Sequence, residues 1–194
     1  MRIATALFSL VLTVSITTNA RGQGARSGVW MNAGVAYGST SVECEPCTLD
    51  REALTGFHLR FGVSRTHRVT WGGEVHFLST DQDSTYVSVL SVLGIVQFYP
   101  IDAAGLYFSA GAGLYKSRFE YLTAPPGLRD FNNRATGVQV GAGYEIPLAS
   151  GLSLTPFTSF IKDFGGGTTE YNGNRIDEAI NPNFFQFGVG LTWH

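Results

Sequence analysis

Residues 183–194 read NFFQFGVGLTWH, and the fold turns on how their side chains alternate. Phe185, Phe187, Val189, Leu191 and Trp193 form one row; Gln186, Gly188, Gly190 and Thr192 form the other. A period of two marks a strand with two different faces. A strand on a soluble sheet would turn charges to water on its second face. Here that face is small and weakly polar, as a narrow, filled interior requires, while the bulky, aromatic face suits hydrocarbon. This inversion predicts a strand of a transmembrane β-barrel.

The same residues carry a resemblance. The segment is similar to the closing strand of small outer-membrane β-barrel proteins. In that family the last strand ends on an aromatic residue preceded by apolar residues at every second position. Trp193 supplies the aromatic here, and the chain runs one residue further, to His194. The resemblance implies a cell outer membrane location in a Gram-negative envelope. It also implies outer-membrane lipids and lipopolysaccharide as surroundings, and the barrel assembly machinery as a partner during biogenesis.

Composition agrees with that setting. The 194 residues suit one domain, and 24 of them are Gly. Aromatics make up 13% and charged residues only 14%, against roughly 25% charged in an ordinary soluble domain. A formal net charge of −2 offers no basic surface for nucleic acid. No phosphate-binding loop GxxxxGK[ST], zinc helix HExxH or nucleophile elbow GxSxG is present. At the N-terminus, Arg2 precedes an apolar run from Ile3 to Ile16, and Thr18-Asn19-Ala20 places small residues before a cleavage point. Residues 1–20 read as a secretory signal peptide, with cleavage after Ala25 as an alternative. The barrel domain spans 28–194.

Seven further alternating segments precede the last. They run from Gly28 to Gly38, Leu54 to Ser64, Val69 to Ser79, Thr85 to Tyr99, Leu106 to Tyr121, Ala135 to Ile146 and Leu152 to Phe164. The fourth is apolar on both faces, so its inward side is left open. Pro156, in the seventh, is tolerated only where the ladder is loose or bulged. Eight antiparallel, up-and-down strands are the smallest barrel number. The connections between them read long, short, medium, short, long, short, long, as short periplasmic turns and longer outer loops require. Twelve of the fifteen acidic residues fall in the outer loops or beside them; Glu74, Asp102 and Glu145 do not. Trp71, Phe98, Tyr99, Tyr107 and Trp193 are expected in a periplasmic aromatic belt. Tyr37, Phe57, Tyr86, Phe119, Tyr121, Phe160 and Phe185 are expected in an outer one.

Inward-facing polar residues are the first candidate site. A three-residue turn at Thr66-His67-Arg68 sets Arg60 across from Glu74 and His58 across from His76. A slip of two residues would pair His58 with Glu74 instead. Such a cluster could handle protons. The plainer reading, which we adopt, is a structural network of His58, Arg60, Glu74, His76 and Glu145 that fills a barrel too narrow for a water channel. Cys44-Glu45-Pro46-Cys47 is a CxxC in an outer loop. A structural disulfide between Cys44 and Cys47 fits an exported chain better than a zinc site, because no second ligand pair is present. Lys116, Arg118 and Lys162, near the outer strand ends, suit either lipopolysaccharide phosphates or ordinary rim solvation.

These readings point to a monomer with a structural or surface-interaction role through its outer loops, not a wide-pore channel. No catalytic, cofactor or metal site is expected. One alternative is a lipid-modifying enzyme, as some family relatives are, but no nucleophile–base pair is identifiable. The other is a soluble, lipocalin-like periplasmic carrier, which would need apolar residues inside and charges outside.

Overall fold

A computed structural model describes residues 26, 28–43, 48–82, 85–101, 104–121, 130–163, 168–171, 174–176 and 181–194. Eleven strands run in chain order: β1 (Gly28–Glu43), β2 (Thr48–Thr66), β3 (Val69–Gln82), β4 (Thr85–Phe98), β5 (Leu106–Tyr121), β6 (Asp130–Tyr144), β7 (Ile146–Ala149), β8 (Leu152–Asp163), β9 (Thr168–Tyr171), β10 (Asn174–Ile176) and β11 (Asn181–Trp193). Each of β1 to β5 pairs antiparallel with the next, β6 and β7 both pair with β8, β8 with β11, and β11 with β1. The circuit closes, leaving no free sheet edge around the wall. In hydrocarbon, an unpaired edge would strand backbone groups without water. β7 continues the line of β6, so the wall has the eight staves read from the alternation.

Bulky side chains do face outward. Val29, Phe57, Phe61, Trp71, Phe108, Phe185 and Phe187 are all exposed, each on a paired strand. A lipocalin-like carrier has the reverse arrangement. β4 takes the facing that periodicity left open. Val87, Val89, Ser91, Leu93, Ile95 and Gln97 are buried in the lumen, while Leu90 and Val92 face out.

Three expectations are corrected. First, the β1–β2 and β3–β4 connections are largely strand. β1 runs to Glu43 and β2 starts at Thr48, so only residues 44–47 connect them. β3 and β4 are joined by residues 83–84 alone, fewer than the periplasmic connection 99–105. At these two hairpins strand overhang, more than the length of the connection, marks the outer end. β2 has 19 residues where about 9–11 suffice to cross a bilayer. Extending the hairpins satisfies backbone groups that a coil would leave to solvent. Second, the stretch from Gly165 to Pro182 holds the short strands β9 and β10, which pair with each other. β9 extends the sheet beside the outer end of β6 through Phe131↔Tyr171 and Arg134↔Thr168. Third, Tyr99 and Tyr107 do not join the lipid-facing belt; both are buried in the lumen.

Pro156 meets its expectation. The β6–β8 ladder ends at Gly143↔Phe157 and resumes as β7 at Ile146↔Leu154. The lapse lies opposite Pro156, which has no N–H to give. At the next turn, Gly151 takes φ +73, a left-handed conformation that lets β7 reverse into β8, and its carbonyl accepts from the His194 N–H at 3.0 Å.

Candidate functional site

The lumen is the first place to look, and it is filled in three layers. The turn between β2 and β3 occupies residues 67–68, and it sets Arg60 opposite Glu74 and His58 opposite His76. Inward alternation then delivers all four side chains to one level. Arg60 donates to Glu74 at 2.9 Å and to the Tyr107 hydroxyl at 2.8 Å, and its guanidinium lies 4.5 Å from the Phe157 ring centroid. Glu74 also accepts from Gln139, at 3.2 Å to one oxygen and 3.3 Å to the other, and contacts His76. Gln186 donates to Ser159 at 2.7 Å and lies 3.1 Å from His76 Nδ1. His58 bonds Asn32, and its ring meets Phe157 edge-on at 4.3 Å. Arg60 is 1% exposed and Glu74 0%, so the ion pair is closed off from bulk solvent.

Toward the outer end, Leu54, Leu78, Val87, Val89, Ile161 and Phe184 pack together as an apolar layer. Periodicity missed this layer, because it expected small and weakly polar residues throughout the interior. Toward the periplasm lies a third layer. The Tyr99 hydroxyl donates to Glu145 at 2.6 Å, Arg26 to the same carboxylate at 3.2 Å, and His194 lies 3.3 Å from it. Arg26 also donates to the Ala104 carbonyl at 3.0 Å and stacks 4.0 Å from the Tyr99 ring centroid.

Glu145 is therefore placed differently from the reading that joined it to Arg60 and Glu74. It belongs to the periplasmic floor, and the Tyr99 and Tyr107 rings, 5.5 Å apart, stand between the two groups. The reason is position along the wall. Glu145 follows Tyr144, the last residue of β6, and its N–H to the Gly105 carbonyl at 2.9 Å continues the β5–β6 register toward the periplasmic end, away from the level of Gln139 and Glu74. Arg26 was not singled out by sequence, since nothing in a residue before the first strand shows that it folds back under the barrel. Tyr107 was misplaced because the run Leu106-Tyr107-Phe108 is apolar on both faces.

The pair Cys44 and Cys47 lies outside the described residues. Among the described residues, no group of three His, Cys, Asp or Glu is arranged to hold a metal ion. His58 and His76 are buried in the lumen, away from the lipid-facing wall where a lipid-modifying enzyme would need its base.

Comparison with known proteins agrees with this geometry. A family model described as the outer membrane protein beta-barrel domain matches residues 6–192. Neisserial surface protein A superposes with a TM-score of 0.58 at 15% identity, covering 86% of this chain and 97% of that one. The outer membrane protein OprG of Pseudomonas aeruginosa gives 0.56 at 12% identity, covering 89% and 98%. Ail, the attachment invasion locus protein of Yersinia pestis, gives 0.52 at 14% identity, covering 86% and 99%. No curated protein matches by sequence.

Proposed function

The chain belongs to the outer membrane protein beta-barrel domain family, and from that premise we propose that it acts at the cell surface through its outer rim and not through its lumen. It is an integral protein of the outer membrane. The filled cross-section carries the reading. At the level of Arg60 and Glu74 the interior is occupied by ion-paired and hydrogen-bonded side chains, with an apolar layer above and the Arg26–Glu145 floor below. Eight strands leave room for side chains and little else. What remains accessible is the set of hairpins that overhang the membrane, including β9 and β10 beside β6. Binding functions concentrate on such projections from a rigid scaffold. Two of the similar structures are described as a surface protein and an attachment protein, which accords with a rim-based role. The role is non-catalytic.

The test is adhesion of cells expressing the full chain to immobilised host-type matrix and to abiotic surfaces. A second strain carries a short Gly-Ser bridge in place of residues 168–176. The expected result is adhesion above an empty-vector strain, reduced by the bridge, with heat-dependent gel mobility of the barrel preserved. Adhesion equal to the empty vector, or unaffected by the bridge, overturns the proposal.

A further inference from the structure

β1 and β11 are the first and last strands, and they are the one pair of neighbouring staves that no connecting segment joins. Every other pair is held by chain at one end: β2–β3, β4–β5 and β7–β8 at the periplasmic end, the rest at the outer end. The closing ladder runs from Glu43↔Asn181 at the outer end to Met31↔Trp193 at the periplasmic end, where it stops. Below Met31, residues 28–30 pair with β2 alone. A ladder end with no turn to hold it is where a sheet frays. Opening there would bare an unpaired edge on both strands.

Arg26 precedes β1 and His194 follows β11, and both turn to one carboxylate oxygen. Arg26 Nε donates to Glu145 Oε2 at 3.2 Å, and His194 Nε2 lies 3.3 Å from the same atom. The Tyr99 hydroxyl occupies the other oxygen. Arg26 does not stay beneath its own strand. It also donates to the Ala104 carbonyl at 3.0 Å, in the connection into β5, and β5 stands four staves from β1 in either direction around the wall. The side chain therefore reaches across the mouth to the far wall. His194 is fixed by its N–H to the Gly151 carbonyl at 3.0 Å. Inside the seam, Asn32 donates to Thr192 at 2.7 Å. Filling the floor calls for polar side chains at the mouth. It gives no reason for the residues at both ends of the open seam to share one acceptor.

We propose that Glu145 is the clasp of the closing seam: it holds Arg26 and His194 together and so fastens the periplasmic ends of β1 and β11. The clasp stands on the far wall, outside the ladder it secures. Among the described residues, Glu145 is the carboxylate that pairs with Arg26, and both side chains are almost fully buried. Neutralising that carboxylate leaves a cation in a nearly closed space, and the least costly relief is for residue 26 to swing into the periplasm. That movement frees the start of β1 and leaves the hairpins elsewhere as they were. Both cleavage points expected for the signal peptide, after Ala20 and after Ala25, leave Arg26 in the mature chain. The clasp concerns the periplasmic end of the wall and does not depend on the rim-based role proposed above.

The test is amide hydrogen exchange, followed by NMR on the full mature chain in lipid nanodiscs, for the parent, Arg26→Gln, Glu145→Gln and the double variant. Residues 31–35 and 189–193 report the seam; residues 57–61 and 73–77, on the β2–β3 hairpin, report the rest of the wall. Each single variant is expected to exchange about tenfold or more faster at the seam and within about twofold of the parent at the hairpin; tenfold corresponds to about 1.4 kcal/mol of local opening. The double variant should exchange no faster at the seam than the faster single one, because the two residues act as one contact. Thr70→Val removes a bond to Gln97 near the floor that touches neither chain end, so its seam should exchange as in the parent. Heat-dependent gel mobility checks that each variant folds, and Arg26→Gln, which lies outside every strand, serves alone if the Glu145 variants do not. Unchanged seam exchange in Arg26→Gln, equal acceleration at seam and hairpin, or the same acceleration at the seam by Thr70→Val would each overturn the proposal.

Discussion

Glu74→Leu and Arg60→Met, singly and together, test whether the middle of the barrel is a dry plug. Glu74 accepts two hydrogen bonds from Gln139 in addition to its ion pair with Arg60. Arg60 reaches Tyr107 as well and covers Phe157. Truncating one partner leaves an uncompensated charge at a site 0–1% exposed, which costs about 3–5 kcal/mol. Removing both relieves that charge. The residual cost is the pairing lost by Tyr107, His76 and Gln139, about 1–3 kcal/mol for each group left without a partner. The double variant should therefore be no less stable than the worse single one, with a coupling above about 2 kcal/mol. Urea unfolding of the four proteins in phospholipid vesicles, followed by Trp fluorescence and by heat-dependent gel mobility, measures the cycle. If each single variant loses less than about 1 kcal/mol, the value of an exposed pair, and the two losses add within about 0.5 kcal/mol, water reaches this level. The plugged interior would then be wrong.

The same geometry predicts three further outcomes. In planar bilayers the protein should show no steady conductance of the general-porin kind; a persistent open pore would contradict the filled cross-section. Gly34→Ala would place a Cβ 2.7 Å from His58 Cε1 and against the β11 backbone, so it should destabilise by about 1–3 kcal/mol in the same unfolding assay. A neutral effect would mean that β1 and β11 are less closely opposed. Glu145→Leu would leave the Tyr99 hydroxyl, Arg26 and His194 without their carboxylate, so it should destabilise by about 1–3 kcal/mol in the same assay; an unchanged stability would show that the floor cluster does not form.

Much of this molecule is legible as pattern. Alternation is a property of neighbouring residues, so the strand Asn181–Trp193 and most of its counterparts could be read without knowing what they pair with. Register followed wherever a tight turn ties two strands together, and that is how Arg60 came to face Glu74. The row of β2 through Phe57, Leu59 and Phe61 read outward because its opposite face, His58, Arg60 and Gly62, is small or polar. Where both faces are apolar, as along β4 and at Leu106-Tyr107-Phe108, alternation carries no sign, and the inward side had to come from the folded wall.

What sequence alone determined, then, is the class of wall and which way most of its side chains point, because a period of two is local and lipid demands a closed, bulky-outward sheet. Tertiary structure decided whatever depends on closure. It brought Arg26 beneath the barrel to Glu145 and His194, residues far apart along the chain. It turned Tyr107 onto Arg60. Those meetings follow from the curvature and stagger that join first strand to last, and no window of residues contains that information.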